Sequence, residues 1–380
     1  MKKLPFKSIT ECQQLKGKYV LLRASTNVPI KNGEVSNQFR LVRGLATVRY
    51  LVSEGAKVII VGHVGSDGSI SIKPVADIFA QHIKSSFVPA ITGAVVKNTR
   101  DKMQDGDVIF LENIRRDPRE KENDSDFARE LADLADIYVN DAFAASHRVH
   151  TSLVGVPLLL PSYVGLNFVH EYEELTKARH PKSPSLFMLG GAKFGTKLPL
   201  VEKFLDIYDC VFIGGALAND FFKAKGYEVG RSMVSEVDLS DSPLLNNDRV
   251  LVPVDVTVQN GVGETRVCAP NELKVDEIIY DMGPATVTLL KLMIEKAATV
   301  LWNGPFGDYE KGFDQYTKEV ASLVALAKCY SVVGGGDTVA SIETLGLQDK
   351  FNFMSTAGGA MLTFLETGTL PAIEALKNKD

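Results

Sequence analysis

The sequence predicts an α/β protein of two doubly wound parallel-sheet (Rossmann-like) domains joined by a helix and hinge. Three observations predict it. Short apolar runs alternate with amphipathic stretches along nearly all 380 residues. The runs are apolar on both faces, as strands of a sheet covered by helices must be. The pattern also restarts midway, with different residues closing its strands, and a chain of this length suits two hydrophobic cores better than one.

In order, KYVLLRA (18–24), AKVIIVGH (56–63), DVIFLEN (107–113) and DIYVNDAF (136–143) are expected as buried strands. FRLVRGLATVRYLVSEG (39–55) and DFARELADLA (126–135) have helical spacing, the latter after a cap at Ser125. HEYEELTKARH (170–180), followed by Pro181 and Pro184, reads as a connecting helix and linker. SLFMLGG (185–191), DCVFIGG (209–215), RVLVPVDVTV (249–258), TVLWNGP (299–305) and YSVVGGGD (330–337) are the second set of strands. Helices are expected at 196–205, 285–297 and 314–327. The first set ends on Arg and His, the second on Gly, Asn and Asp. Ligands of open α/β sheets bind at such carboxyl ends.

Composition narrows the partners. A net charge of −5 gives no reason to expect nucleic acid or an anionic membrane, so any anion site is a local cluster. The four cysteines match no metal-ligand spacing and read as free thiols of a reducing compartment. No apolar h-region and no run of about 20 apolar residues occurs, so a cytoplasmic protein is expected.

The second half carries phosphate-binding features. In LGGAKFGTKL (189–198), Gly190 and Gly191 bring backbone N–H groups toward a helix start beside Lys193 and Lys197. The spacing is not a Walker A loop, because Thr196-Lys197 follows Gly195. In VVGGGDTVA (332–340), Gly334, Gly335 and Gly336 precede Asp337, a candidate Mg²⁺ ligand, and Thr338, a candidate phosphate donor. LWNGPFGDYE (301–310) presents Asn303 and Pro305 in a turn and Glu310 for ribose hydroxyls. Gly358 and Gly359 lie in a further turn entering a helix.

The first half clusters Arg23, Arg40, His63, Arg115, His147, Arg148 and His150 at strand ends or helix starts. The arginine fork suits carboxylate and phosphate, and no aromatics interleave for base stacking. Arg116 and Arg119, in RRDPREKEND, read as a solvated loop with compensating acids. His82, His170 and His180 read as structural or surface residues. One half suited to nucleotide phosphates and another to a small polyanion imply phosphoryl transfer.

RASTNVP (23–29), NQFR (37–40), GHVG (62–65), LENIR (111–115), NDAFAASHRVH (140–150), GGAKFGTK (190–197), WNGPFGDYE (302–310), GGGDT (334–338) and STAGGA (355–360) resemble, in order, the motifs of the phosphoglycerate kinase family. The likeness implies a 3-phosphoglycerate/1,3-bisphosphoglycerate domain at 1–168, an interdomain helix at 169–181 and a nucleotide domain at 182–365. It also implies that a tail near 366–380 packs back on the first domain. By the resemblance, Arg23, Ser25, Asn27, Arg40, His63, Arg115, His147, Arg148 and His150 hold the substrate. Gly190, Gly191, Lys193, Lys197, Gly214, Gly215, Asn303, Pro305, Glu310, Gly334, Gly335, Gly336, Asp337, Thr338, Gly358 and Gly359 hold ADP or ATP. Arg40, Lys197 and Lys193 are then catalytic and Asp337 the Mg²⁺ ligand. A monomer is expected from the family alone.

Four positions depart from the family pattern: Ser25 and Thr196 where it has Asp, Ser66 where it has Arg, and Ala357 where it has Gly. They motivate one alternative, a nucleotide-binding pseudoenzyme of the same fold. A dinucleotide-dependent oxidoreductase is disfavoured, because no strand is followed by G-x-G-x-x-G with an acid at the expected distance. Substrate on one domain and nucleotide on the other predict hinge closure about 166–182.

Overall fold

The computed structural model describes residues 4–191 and 198–377. The chain forms two compact units. One contains the residues up to Glu173 together with those from Thr367 on; the other is Glu174–Glu366. The helix Leu166–Ala178 contains the boundary.

The strands of the first unit are β1 (Tyr19–Arg23), β2 (Ile30–Lys31), β3 (Glu34–Val35), β4 (Lys57–Val61), β5 (Ser86–Val88), β6 (Val108–Leu111), β7 (Ile137–Asn140) and β8 (Ser162–Val164). Six of them make one parallel sheet in the order β5-β6-β4-β1-β7-β8, while β2 and β3 pair as a small hairpin. Leu21, Leu22, Ile59 and Ile60 are buried whichever face they point to, as the continuous apolar runs require. The helix Phe39–Ser53 covers the sheet with Leu41, Leu45 and Val48, spaced for one helical face. The helix Pro371–Leu376 belongs to this unit too, and Ala372 N–H donates to Ser146 O at 3.1 Å.

The second unit has β9 (Ser185–Leu189), β10 (Cys210–Ile213), β11 (Val250–Leu251), β12 (Val256–Gln259), β13 (Thr265–Cys268), β14 (Ile278–Met282), β15 (Thr299–Asn303), β16 (Tyr330–Gly334) and β17 (Phe353–Met354). Its six-stranded parallel sheet runs β11-β10-β9-β15-β16-β17. A separate antiparallel sheet, β13-β12-β14, was not foreseen.

Two expectations are corrected. The run 249–258 is not one strand: β11 joins the parallel sheet and β12 the antiparallel one. Pro253 lies between them and has no N–H for a ladder. Asp124, not Ser125, caps the helix Ser125–Ala132; its carboxylate accepts from Phe127 N–H at 2.7 Å.

Strand order fixes where each site lies. Chain direction across the sheet reverses between β1 and β7 in the first unit, and between β9 and β15 in the second. At such a reversal, adjacent loops leave toward opposite faces and open a crevice at the carboxyl edge. Register places Arg23 beside Val61 and Asn140, and Asn303 beside Leu189 and Gly334. The Arg/His strand ends and the Gly/Asn strand ends therefore occupy the two crevices.

Candidate active site

Arg23 closes β1 and is 1% exposed. Its Nε donates to Ser152 Oγ (2.9 Å), and its terminal nitrogens reach Ala24 O and His63 Nδ1, both at 2.8 Å. A guanidinium only donates, so His63 Nδ1 accepts and the ring proton sits on Nε2. Burial, with Arg23, Arg115 and Arg148 nearby, holds His63 well below the ordinary imidazole range, so it is neutral. An Arg148 terminal nitrogen stands 3.4 Å from His63 Nε2. Both atoms carry protons, so neither satisfies the other, and both present a donor to a third group.

Glu120 answers Arg23 through Ser152. The Ser152 hydroxyl donates to Glu120 Oε1 (2.7 Å) and its N–H to Oε2 (2.9 Å). Burial pushes the Glu120 carboxyl upward, opposed by the Arg23 charge. His150 Nδ1 lies 3.8 Å from Glu120, and burial together with Arg115, Arg148 and Arg23 pushes it down to about 4. Burial also lowers His147, and Arg148 adds to the effect.

A second chain of contacts joins the remaining candidates. Arg40 donates to Asn27 O, Asn27 Oδ1 accepts from Gly65 N–H (3.0 Å), and Gly65 O accepts from Arg115 (2.5 Å). Arg115 is pushed down to about 10 by burial, then by Arg148 and Arg23. Its buried Nε has no partner among the described residues. Ser25 is buried just past β1 and adds no charge; Ser66 is exposed. Cations dominate this rim, and a buried cation requires an anion or hydrogen-bond acceptors.

In the second unit a cleft of ≈ 630 Å³ is lined by Gly191, Gly215, Pro305, Glu310 and Asp337, among others. The predicted glycines divide into two kinds. A Cβ on Gly190 would lie 2.2 Å from Pro305 O, and one on Gly304 (φ +95°) 2.4 Å from Gly190 O. These two loops cross backbone to backbone, so the site cannot form with side chains there. Gly214 and Gly334 are packed likewise, against Phe306 and Met361. By contrast, a Cβ on Gly336, Gly358 or Gly359 would meet nothing within 4 Å among the described residues. No described residue fills that space.

The helix Gly336–Thr344 begins after Gly335, with Asp337 exposed in its first turn. Thr338 is buried and its Oγ1 has no partner among the described residues, an orphan donor at a helix N-terminus. No cluster of three or more potential metal ligands occurs among the described residues. A lone carboxylate suits Mg²⁺, which takes one or two carboxylates plus phosphate oxygens and water. Asn303 ends β15 buried, its amide 3.9 Å from Met361 Sδ. Lys193, Thr196 and Lys197 lie outside the described residues.

Reading the sequence missed Glu120 and Ser152. Glu120 sits in the charged run assigned to a solvated loop, yet it is fully buried. Arg119 in that run does pair with acids, Asp117 and Glu130, at 2.7 Å each. No local signal separates Glu120 from its neighbours; only its long-range contact with Ser152 does.

An arginine rim suited to a small anion and a backbone-lined cleft suited to phosphates are the equipment of a phosphotransferase. The family profile for phosphoglycerate kinase matches residues 9–368. A phosphoglycerate kinase of Dictyoglomus turgidum is 40% identical over 390 aligned positions, covering 97% of each chain. Among solved structures, phosphoglycerate kinase from Coxiella burnetii aligns with a TM-score of 0.84 at 34% identity, covering 98% of this chain and 99% of its own. The enzyme from Pyrococcus horikoshii OT3 gives 0.85 at 30%, covering 97% and 98%. The chain belongs to the phosphoglycerate kinase family. It is a kinase of glycolysis that moves a phosphoryl group between 1,3-bisphosphoglycerate and ADP.

Proposed function

We propose that the arginine rim holds 3-phosphoglycerate or 1,3-bisphosphoglycerate and that the cleft of the second unit holds ADP or ATP with Mg²⁺. The single observation that carries the first assignment is the pair His63 Nε2 and Arg148, two protonated nitrogens 3.4 Å apart with no acceptor between them. An anionic oxygen completes both. Arg23, Asn27, Arg40, Arg115, His147 and His150 surround it, with Ser25 as a neutral hydrogen-bonding group. In the cleft, Glu310 takes the ribose, Thr338 Oγ1 and the N–H groups after Gly335 take phosphate oxygens, and Asp337 holds the metal. Gly358 and Gly359 leave room near the transferred group.

The chemistry asks little proton transfer of the protein. The carboxylate of 3-phosphoglycerate is ionised at neutral pH, so no general base is needed. Catalysis is then in-line positioning and neutralisation of charge on the migrating group. Arg40 and the lysines at 193 and 197 supply positive charge, and helix N-termini add their dipoles. When bound beside Asp337, Mg²⁺ neutralises charge on the nucleotide phosphates.

A monomer working in the cytoplasm, with neither nucleic acid nor membrane as partner, completes the proposal. No described helix is long and apolar enough to cross a membrane. A coupled assay for ATP formation tests the site. Arg40→Ala and Lys197→Ala should each lower kcat by about 10²–10³; activity unchanged in both would remove them from the catalytic set.

A further inference from the structure

We infer that Ser152 is a positioning residue for substrate recognition. Its hydroxyl stands between Arg23 and Glu120 and keeps the guanidinium on His63, which presents an Nε2–H donor to the anion. The inference rests on the proposed seating of 3-phosphoglycerate at the arginine rim.

Every polar group of Ser152 is committed. The residue is fully buried, in the π-helical turn Thr151–Gly155. Such turns are rare and occur frequently at functional sites. Its N–H donates to Glu120 Oε2 (2.9 Å), its hydroxyl donates to Oε1 (2.7 Å), and its C=O accepts from the Tyr138 hydroxyl (2.6 Å). The hydroxyl oxygen also accepts from Arg23 Nε at 2.9 Å. A guanidinium cannot accept, so each link runs one way. The Ser152 lone pair faces Arg23, its proton faces Glu120, and a second Arg23 nitrogen donates to His63 Nδ1 at 2.8 Å.

The hydroxyl therefore acts as a spacer. Arg23 feels the Glu120 charge, yet the one ion-pair contact of Glu120 among the described residues is His150, 3.8 Å away. Without the hydroxyl, a buried guanidinium and a buried carboxylate would face each other with nothing between them. A direct charge-assisted pair is the strongest bond then open to both. Arg23 would leave His63 Nδ1, and Arg148, 3.4 Å from Nε2, would be the remaining donor beside the ring. It would draw the ring proton to Nδ1. With Nε2 accepting from Arg148, neither nitrogen of that pair would be free for a substrate oxygen. One missing hydroxyl thus removes two donors from the rim, although Ser152 acts only through Arg23.

The test reads the His63 ring nitrogens by nitrogen NMR without ligand, and KM and kcat for 3-phosphoglycerate. It compares wild type, Ser152→Ala and the double variant Ser152→Ala/Glu120→Gln. Wild type should carry the ring proton on Nε2 alone. Ser152→Ala should gain a proton on Nδ1 and raise KM by roughly tenfold or more, the scale of a hydrogen bond to a charged group, with kcat changed far less. The double variant should return the proton to Nε2 and recover much of the KM, because a neutral amide no longer attracts the guanidinium. A purely structural role predicts the opposite order, since the second substitution would only add damage. A folded Ser152→Ala with the wild-type ring and KM would overturn the inference, as would a double variant no better than the single one. A displaced proton with an unchanged KM would overturn the part in recognition. If Ser152→Ala does not fold, wild type and the double variant decide: a proton on Nδ1 in either overturns the chain of contacts, and Nε2–H in both supports it. Arg148→Ala tests the seating separately, and an unchanged KM there would overturn the rim as the seat of 3-phosphoglycerate.

Discussion

The two candidate sites solve the same problem, holding a phosphorylated anion at the carboxyl edge of a parallel sheet, with opposite materials. In the first unit the groups are long side chains whose charges are buried and tied together: Arg23 to His63 and Ser152, Ser152 to Glu120, Arg115 to Gly65, Arg40 to Asn27. In the second the groups are mostly backbone, brought close by glycines whose Cβ would strike a neighbouring main chain. Side chains give reach and strong charge but must be held in place by other side chains. Backbone needs no such support, yet it demands that certain positions carry nothing at all. The two sites should therefore fail differently when altered.

The largest contrast is in stability. Arg23→Met leaves Glu120 as an uncompensated buried charge and should cost the first unit about 3–5 kcal/mol. Calorimetry should show this in one of two transitions, since a two-unit chain need not unfold in a single step. A shift under about 1 kcal/mol would mean that Glu120 is already protonated in the fold and that the arginine is not its counter-ion.

Next come the glycines. Gly190→Ala places a methyl 2.2 Å from Pro305 O, so backbone must move, at a cost of about 1–3 kcal/mol in the second unit. Gly336→Ala meets nothing within 4 Å among the described residues and should leave stability unchanged while raising KM for ADP several-fold. Equal thermal shifts in the two variants would erase the distinction between glycines that serve packing and glycines that serve the ligand.

A pH experiment separates the units more finely. His150 is held at about 4 against an ordinary 6.5, so the fold prefers the neutral ring. The unfolded chain then binds the extra proton, and this contribution is intact above about pH 6.5. It is lost as pH falls toward about 4, and His150→Gln should flatten that part of the first unit's profile. Bound 3-phosphoglycerate should raise the His150 titration in NMR, because an anion favours imidazolium; no movement would place the ligand away from this ring. The smallest expected effect is that of Ser66→Arg. Position 66 is exposed, so restoring a cation there should tighten 3-phosphoglycerate by only about 0.2–1 kcal/mol, read as KM.

Much of this was legible in the sequence because several strands carry a candidate site residue at or just past their ends. Arg23 and Asn303 are the last residues of β1 and β15, and His63 follows β4 by two, so apolar runs and their closing residues located both crevices. The antiparallel sheet was not legible. Its strand β13 is partly exposed, so it lacks the continuous apolar run that marks a buried strand. Pro253 also lies inside a run whose hydrophobicity reads straight through. Glu120 and Ser152 were hidden for a different reason. They lie 32 residues apart, and neither is unusual in its own neighbourhood. Networks of that kind depend on contacts that periodicity does not encode.

The only tryptophan of the chain, Trp302, lies in β15 of the second unit. It is fully buried, its Nε1–H donates to Gly304 O at 2.8 Å, and its ring stacks on Phe306 at 5.2 Å between centroids. Its fluorescence is consequently a built-in reporter for one unit alone. Emission follows the Gly304 turn through melting or nucleotide titration, while the arginine-bearing unit stays dark unless a second indole is introduced there.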